Sequence, residues 1–91
     1  MAIRSFRHKG LRDLFMLGQA RGIRPDLLRH VEQRLRILDS ARSLDELRIQ
    51  PWRLHVLRGE GRWAIDINGP WRLTFRWDEG EPHELDLEQY H

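Results

Sequence analysis

Near residue 52 the apolar residues of this chain change period, from helical spacing to strict alternation, and that change limits the fold to helices first and a sheet second. Before it, Leu11, Leu14 and Phe15 recur at helical spacing, so His8 to about Leu17 is expected to form a first helix, ended by Gly18 and Gly22. Pro25 then stands where a first helical turn tolerates it, and Asp26 complements the positive helix end. Leu28, Val31, Leu35 and Leu38 make one apolar stripe, while Arg29, Glu32, Gln33 and Arg36 take the other face. That pattern predicts a second amphipathic helix of about four turns. Ser43-Leu44-Asp45-Glu46-Leu47 reads as a capping-box start to one short turn. Ile3-Arg4-Ser5-Phe6 is a short strand candidate.

Past the change, Leu54 and Val56 alternate with Arg53, His55 and Leu57, and Trp63, Ile65 and Ile67 alternate with Arg62, Ala64 and Asp66. Asn68-Gly69 is a turn signal, although Pro70 weakens the case for a tight two-residue hairpin. Trp71, Leu73, Phe75 and Trp77 alternate with Arg72, Thr74 and Arg76. Asp78 to Pro82 is expected as a polar turn, and Leu85 and Leu87 then alternate with Glu84, Asp86 and Glu88. The expected architecture is α+β: two N-terminal helices packed on one face of a small, mostly antiparallel sheet, as a single domain over residues 1–91. The Trp71/Leu73/Phe75 parity is the continuous apolar face and must meet the helices. Arg72, Thr74 and Arg76 therefore turn outward, as do Glu84, Asp86, Glu88 and, if the last strand continues that far, Tyr90. Arg and carboxylates share that second face, either as cross-strand ion pairs of small individual worth or as parts of a site.

Ninety-one residues suit one modest core. The chain has no Cys, so neither a disulfide framework nor a thiolate metal site can form. No apolar run approaches the length of a membrane span, and the start Met1-Ala2-Ile3-Arg4-Ser5-Phe6 lacks the apolar stretch of a secretory signal, so a cytoplasmic protein is expected. The histidines at 8, 30, 55, 83 and 91 have no ligand-like spacing, and Gly59-Glu60-Gly61 is too short to be more than a turn. Neither a metal nor a cofactor is expected. The net charge of +2 conceals segregation: residues 1–50 carry +5, residues 51–76 carry +3, and residues 77–91 carry −6. Fifteen of the sixteen cations are Arg, whose planar donor fork suits phosphate. A basic body of this kind fits a nucleic acid or an acidic partner, or else an ordinary solvated surface in an Arg-rich chain.

Gln89-Tyr90-His91 closes the chain with side chains that can donate, accept or move protons. If the last strand joins the sheet, His55, Arg58, Arg72, Tyr90 and His91 could meet around one anion. RNA can be cut without metal when its own 2′-hydroxyl attacks the adjacent phosphorus. That step needs a base for the hydroxyl proton, cations for the charge growing on phosphorus, and an acid for the departing 5′-oxygen. Imidazoles titrate near neutrality, Tyr90 can donate a hydrogen bond or share in proton transfer if cations raise its acidity, and Arg58 and Arg72 are permanent cations. Which residue is base and which is acid is open at this level.

Four separated motifs carry a resemblance along essentially the whole chain: Ser5-Phe6-Arg7-His8-Lys9-Gly10-Leu11, Trp52-Arg53-Leu54-His55-Val56-Leu57-Arg58-Gly59, Asn68-Gly69-Pro70-Trp71-Arg72-Leu73-Thr74-Phe75-Arg76, and Tyr90-His91. In that order they resemble HigB-type toxins, the plasmid maintenance killer branch of the RelE superfamily of type II toxin–antitoxin systems. The resemblance implies a RelE-like fold and a ribosome-dependent mRNA endonuclease that cuts in the A site by 2′-hydroxyl attack, without metal, and so inhibits translation. It also implies a HigA-like helix-turn-helix antitoxin as partner, through which alone the toxin would meet operator DNA. By the same resemblance the family's catalytic His corresponds to His55, its active-site basic residue to Arg58, its Trp-Arg pair to Trp71-Arg72, and its terminal Asp-Tyr-His to Gln89-Tyr90-His91. Arg58 stands where Lys is usual; it keeps the charge but cannot act as a base. Gln89 removes a carboxylate that could orient or charge a neighbour, and the Gly59–Trp63 loop is short against the family pattern. These departures bear on rate and codon preference more than on fold. Lys9, Arg29, Arg36, Arg53 and Arg76 are expected to add RNA contacts. The competing class is a non-catalytic RNA- or ribosome-binding module, or an inactive toxin-fold protein that only binds an antitoxin; Arg and Trp together suit backbone contacts and base stacking.

Overall fold

The His8 imidazole opens the first helix, α1 (Lys9–Leu17), by accepting the Leu11 backbone N–H on Nδ1 at 3.1 Å. Gly18, in the left-handed region at φ 71°, closes it by donating to Asp13 and Leu14 carbonyls. The computed structural model describes residues 2–90. α2 (Pro25–Ser40) follows, then a single 3₁₀ turn at Leu44–Leu47. At that turn the expected capping box does not form: the Ser43 hydroxyl makes no cap, and the Glu46 carboxylate accepts the Arg42 N–H at 3.1 Å rather than that of Ser43. The connection between the helices folds back onto the first turn of α1, where Gly22 meets Gly10. A Cβ on Gly10 would lie 2.5 Å from the Gly22 carbonyl oxygen, so neither position has room for a side chain.

The stripe on α2 is turned slightly from the expected one. Leu27, Val31, Leu35 and Leu38 are buried, Leu28 is only half-buried, and Arg34 joins the buried face at 4% exposure. Four antiparallel strands form the sheet in the order β1 (His55–Leu57), β2 (Arg62–Asn68), β3 (Trp71–Asp78), β4 (Glu81–Gln89). Ile65, Leu73 and Leu87 face one another across β2, β3 and β4, and this parity packs with Phe75 and Leu85 against Leu11, Leu27, Val31, Leu35 and Leu38. The fold is therefore the expected helices-on-one-face α+β arrangement. No helix among the described residues is long and apolar enough to cross a membrane.

Three local expectations change. In β1 the parity is reversed: Leu57 is buried and Val56 is 50% exposed. The cause is Arg53, which takes φ 53° and turns the chain between buried Trp52 and His55, so the alternation restarts. The polar turn after β3 narrows to Glu79-Gly80, with φ 52° and 78°, and Pro82 is a buried strand residue. Gly69 and Pro70 do connect β2 to β3, because Gly69 accepts φ 56° and a register shift between Asp66 and Asn68 absorbs the misfit. A second register shift lies opposite Thr74–Arg76, where Glu84 has φ 51°.

The strand expected at Ile3–Phe6 is reduced to a parallel bridge between Phe6 and Leu85. Around it, Arg4 N–H donates to the Pro82 carbonyl at 3.0 Å, Arg7 N–H to Leu85 at 2.7 Å, and Leu85 N–H to Ser5 at 3.2 Å. β4 thus has a hydrogen-bonded neighbour on both sides, and its free edge is covered.

Candidate active site

Across β2, β3 and β4, Asp66 stands opposite Arg72, and Arg72 opposite Glu88. His55 of β1 stands opposite Ala64 on the same face, one step along from Asp66. This is the sheet face away from the helices, as the outward parity of Arg72 and Tyr90 predicts. What assembles the site is a set of contacts no local pattern announces. Trp52 is buried, and the Arg34 guanidinium of α2 lies over its ring at 4.7 Å. Arg34 Nε also donates to the Asp66 carbonyl at 2.8 Å, and the Asp66 N–H donates to the Trp52 carbonyl at 2.7 Å. Burial draws the Arg34 guanidinium below the ordinary Arg range, with the negative charge of Asp66 opposing it. The segment before β1 is thereby clamped to β2.

From that clamp Arg53 reaches back over the sheet. Its Nε donates to Asp66 Oδ2 at 2.9 Å and its Nη2 donates to the Tyr90 hydroxyl oxygen at 2.7 Å. The Tyr90 hydroxyl donates to Asp66 Oδ1. Tyr90 itself is held by its N–H on the Pro70 carbonyl at 2.8 Å. The Arg72 guanidinium sits 4.6 Å from the centre of the Tyr90 ring, and its buried Nε has no partner among the described residues. The His55 ring lies 6.4 Å from that of Tyr90 and is inclined to it by 15°. His55 Nδ1 is 2.7 Å from the Arg53 carbonyl, which can only accept, so Nδ1 carries a proton, and in the neutral ring Nε2 is the nitrogen left to accept one.

The charges follow from these contacts. Burial alone would raise the Asp66 carboxyl, but hydrogen bonds from Arg53 and Tyr90 outweigh it and hold it below the usual carboxylate range. Burial and the neighbouring Asp66 carboxylate push the Tyr90 hydroxyl up, against the weaker pull of Arg53. The condition under which Tyr90 could share in proton transfer, an acidity raised by cations, is not met: burial and Asp66 outweigh Arg53. The hydrogen bond with Asp66 raises Arg53. At neutral pH the site therefore holds a carboxylate, a neutral phenol and two guanidinium groups.

His55, Arg72 and Tyr90 come together as expected. Arg53, expected only as an RNA contact, belongs to the same cluster. Arg58 is exposed in the β1–β2 turn, about 10 Å along the chain from His55, and makes no hydrogen bond or ion pair among the described residues. His91 lies outside the described residues. Arg76 is held by Glu84 at 3.4 Å, and Lys9 by Asp13 at 2.6 Å. Arg29 and Arg36 are exposed on α2 and unpaired among the described residues. Asp66 and Arg34 went unrecognised. Their signals were present: Asp66 shares the outward parity of Arg72, and Arg34 falls within the apolar stripe of α2. Beside the site, Arg62 is 2% exposed and donates to Thr74 Oγ1 at 3.0 Å and the Glu84 carbonyl at 2.6 Å, so part of this face is closed rather than wet. No group of three His, Asp or Glu side chains fit to hold a metal occurs among the described residues. A cavity of about 480 Å³ lined by Lys9, Gly10, Asp13, Gln19, Arg21 and Gly22 lies on other elements, and one of about 300 Å³ lined by Arg48, Ile49, Gln50, Arg53 and Leu54 borders the candidate site.

A family model described as the RelE-like toxin of the type II toxin–antitoxin system HigB matches residues 4–91. The endoribonuclease HigB of Proteus vulgaris is 38% identical over 91 residues, which cover 98% of this chain and 99% of that protein.

Proposed function

The chain belongs to the HigB-like family of RelE-like toxins of type II toxin–antitoxin systems, and from that premise we propose that it is an endoribonuclease that cuts mRNA in the ribosomal A site. The observation that carries this reading is the meeting of His55, Arg53, Arg72 and Tyr90 on one open sheet face. His55 Nε2 takes the proton of the 2′-hydroxyl. The 2′-oxygen forms its bond to phosphorus as the bond to the 5′-oxygen breaks, leaving a 2′,3′-cyclic phosphate and a 5′-hydroxyl. Arg72 and Arg53 face the charge that grows on the non-bridging oxygens, where a preoriented cation counts for most. His91 is the candidate acid for the departing 5′-oxygen, and Arg58 a further cation at the rim. These side chains fill each role without a metal.

The exposed cations Arg29 and Arg36 of α2 suit ribosomal RNA, which supports dependence on a ribosome to present the mRNA. A HigA-like helix-turn-helix protein would be the antitoxin, with operator DNA reached through it. The test is a translating extract with mRNA 5′ ends mapped, for the wild type and for His55→Ala. Codon-phased cuts lost in the variant are expected, with purified RNA left intact by the wild type. Efficient cutting of naked RNA, insensitive to added ribosomes, would sink ribosome dependence. Stalled ribosomes on unchanged mRNA would mean a binding module instead.

Arg29 and Arg36 project from α2, on the far side of the sheet from the site. We expect Arg29→Gln and Arg36→Gln to weaken ribosome binding, more at low salt than at high, because they remove cations and not chemistry. The thermal midpoint should hold, since both residues are exposed and neither is paired among the described residues. A large fall in that midpoint would show them to be structural.

A further inference from the structure

A phenol has a single proton. In this site the Tyr90 hydroxyl spends its proton on Asp66, and Arg53 Nη2 occupies one of its lone pairs. The hydroxyl therefore points into the protein, and the ring is what Tyr90 shows to the site. Arg72 lies on that ring and His55 beside it. Gln89, the preceding residue, is exposed and brings no carboxylate. We propose that Asp66 is a positioning residue that acts through Tyr90: it pins the hydroxyl inward, so that the ring holds Arg72 and His55 in the places where the phosphate and the 2′-hydroxyl meet them.

This inference rests on the nuclease reading and adds to it a residue and a division of labour. The Tyr90 hydroxyl serves the fold of the site; its ring serves the reaction. The charged and titratable groups around the pair come from every neighbouring element: Arg53 before β1, His55 on β1, Arg72 on β3, Glu88 on β4 opposite Arg72, and Arg34 of α2 on the Asp66 carbonyl. Asp66 supplies the negative charge that raises Tyr90, and Arg53 the positive charge that lowers it. The two partners must therefore move the hydroxyl in opposite directions when removed.

Tyr90 is the sole tyrosine of the chain, so tyrosinate absorbance reads this one hydroxyl without substrate. Following a pH jump, and before alkaline unfolding, Asp66→Asn is expected to ionise at lower pH than the wild type, and Arg53→Gln at higher pH. The upward move cannot come from unfolding, which would return the phenol towards its ordinary value. Single-turnover cleavage on programmed ribosomes supplies the second reading. Asp66→Asn should lose about 10²-fold in rate, the scale of a small misplacement of reacting groups, with ribosome affinity unchanged. Tyr90→Phe, which keeps the ring, should lose a similar amount, and the double variant should be no worse than Tyr90→Phe alone.

An unmoved tyrosine midpoint in both single variants overturns the proposal. So does an undiminished rate in Asp66→Asn, or a loss that persists in the Tyr90→Phe background. A far larger loss in Tyr90→Phe than in Asp66→Asn would place the hydroxyl on the substrate and overturn the division of labour. The midpoints stand or fall apart from the nuclease reading; a wild type that cuts no RNA, with both midpoints moving as expected, would sink that reading and the catalytic half of this one.

Discussion

Removal of Tyr90 and His91 is expected to leave a folded domain that no longer arrests growth. Loss of a positioned proton-transfer group commonly costs about 10²–10⁴ in rate, and this truncation also takes away the ring on which Arg72 lies. The fold should survive because little of it depends on Tyr90. β4 is anchored further back by Leu85, at 0% exposure, and by half-buried Leu87. Tyr90 contributes its N–H bond to Pro70, worth about 0.5–1.5 kcal/mol net, and its hydroxyl bonds to the charged Asp66, worth about 1.5–3 kcal/mol, and to Arg53, whose exposure discounts it. Asp66 keeps Arg53 as a partner, so no buried charge is abandoned. Growth assays and mapped mRNA ends check this together with a thermal melt. A truncated chain that remains fully toxic, with unchanged cleavage sites, would make the terminal pair a tail and return catalysis to His55, Arg53 and Arg72.

Deleting from Leu85 onward should have the opposite result: a chain without a cooperative melt and without a fixed tryptophan environment. Two inward Leu are lost, each worth roughly 1.5–3 kcal/mol, against a total stability of about 5–15 kcal/mol for an ordinary domain. The greater damage is topological. Leu73, Thr74, Arg72 and Trp71 of β3 lose their partners on β4, and the segment through Ser5, Phe6 and Arg7 loses the strand it hydrogen-bonds to. Buried backbone groups left unpaired on both sides would each cost about 1–3 kcal/mol. A sharp melt and native-like near-ultraviolet circular dichroism in this variant would contradict the central place given to β4.

Most of the architecture was legible because it is written locally. His8 before an apolar recurrence, Pro25 at a helix start and the Trp71/Leu73/Phe75 alternation each specify an element through residues only a few positions apart. The corrections fall where one residue leaves the common backbone regions. Arg53 at positive φ restarted the alternation of β1, and Glu84 at positive φ marks a register shift in β4. An Arg or a Glu carries no mark of such a conformation, since the conformation is imposed by what the side chain then reaches: Asp66 and Tyr90 for Arg53, Arg7 and Arg76 for Glu84.

The candidate site divides in the same way. Spacing and residue type placed Arg72 on the outward face, with Tyr90 there too if the last strand continues, and pointed to His55 and the carboxy-terminal strand as candidates for one site. Only the tertiary structure decided which of these groups touch. It brought Arg53 in, left Arg58 exposed in a turn, and put Asp66 at the centre, with its backbone braced by an Arg from the second helix. Facing is set by a period of two along one strand, which a sequence displays. Contact is set by the register between strands, and here that register shifts beside Asp66 and again opposite Thr74–Arg76, through interactions between residues more than thirty positions apart such as Arg34 with Asp66 and Arg53 with Tyr90.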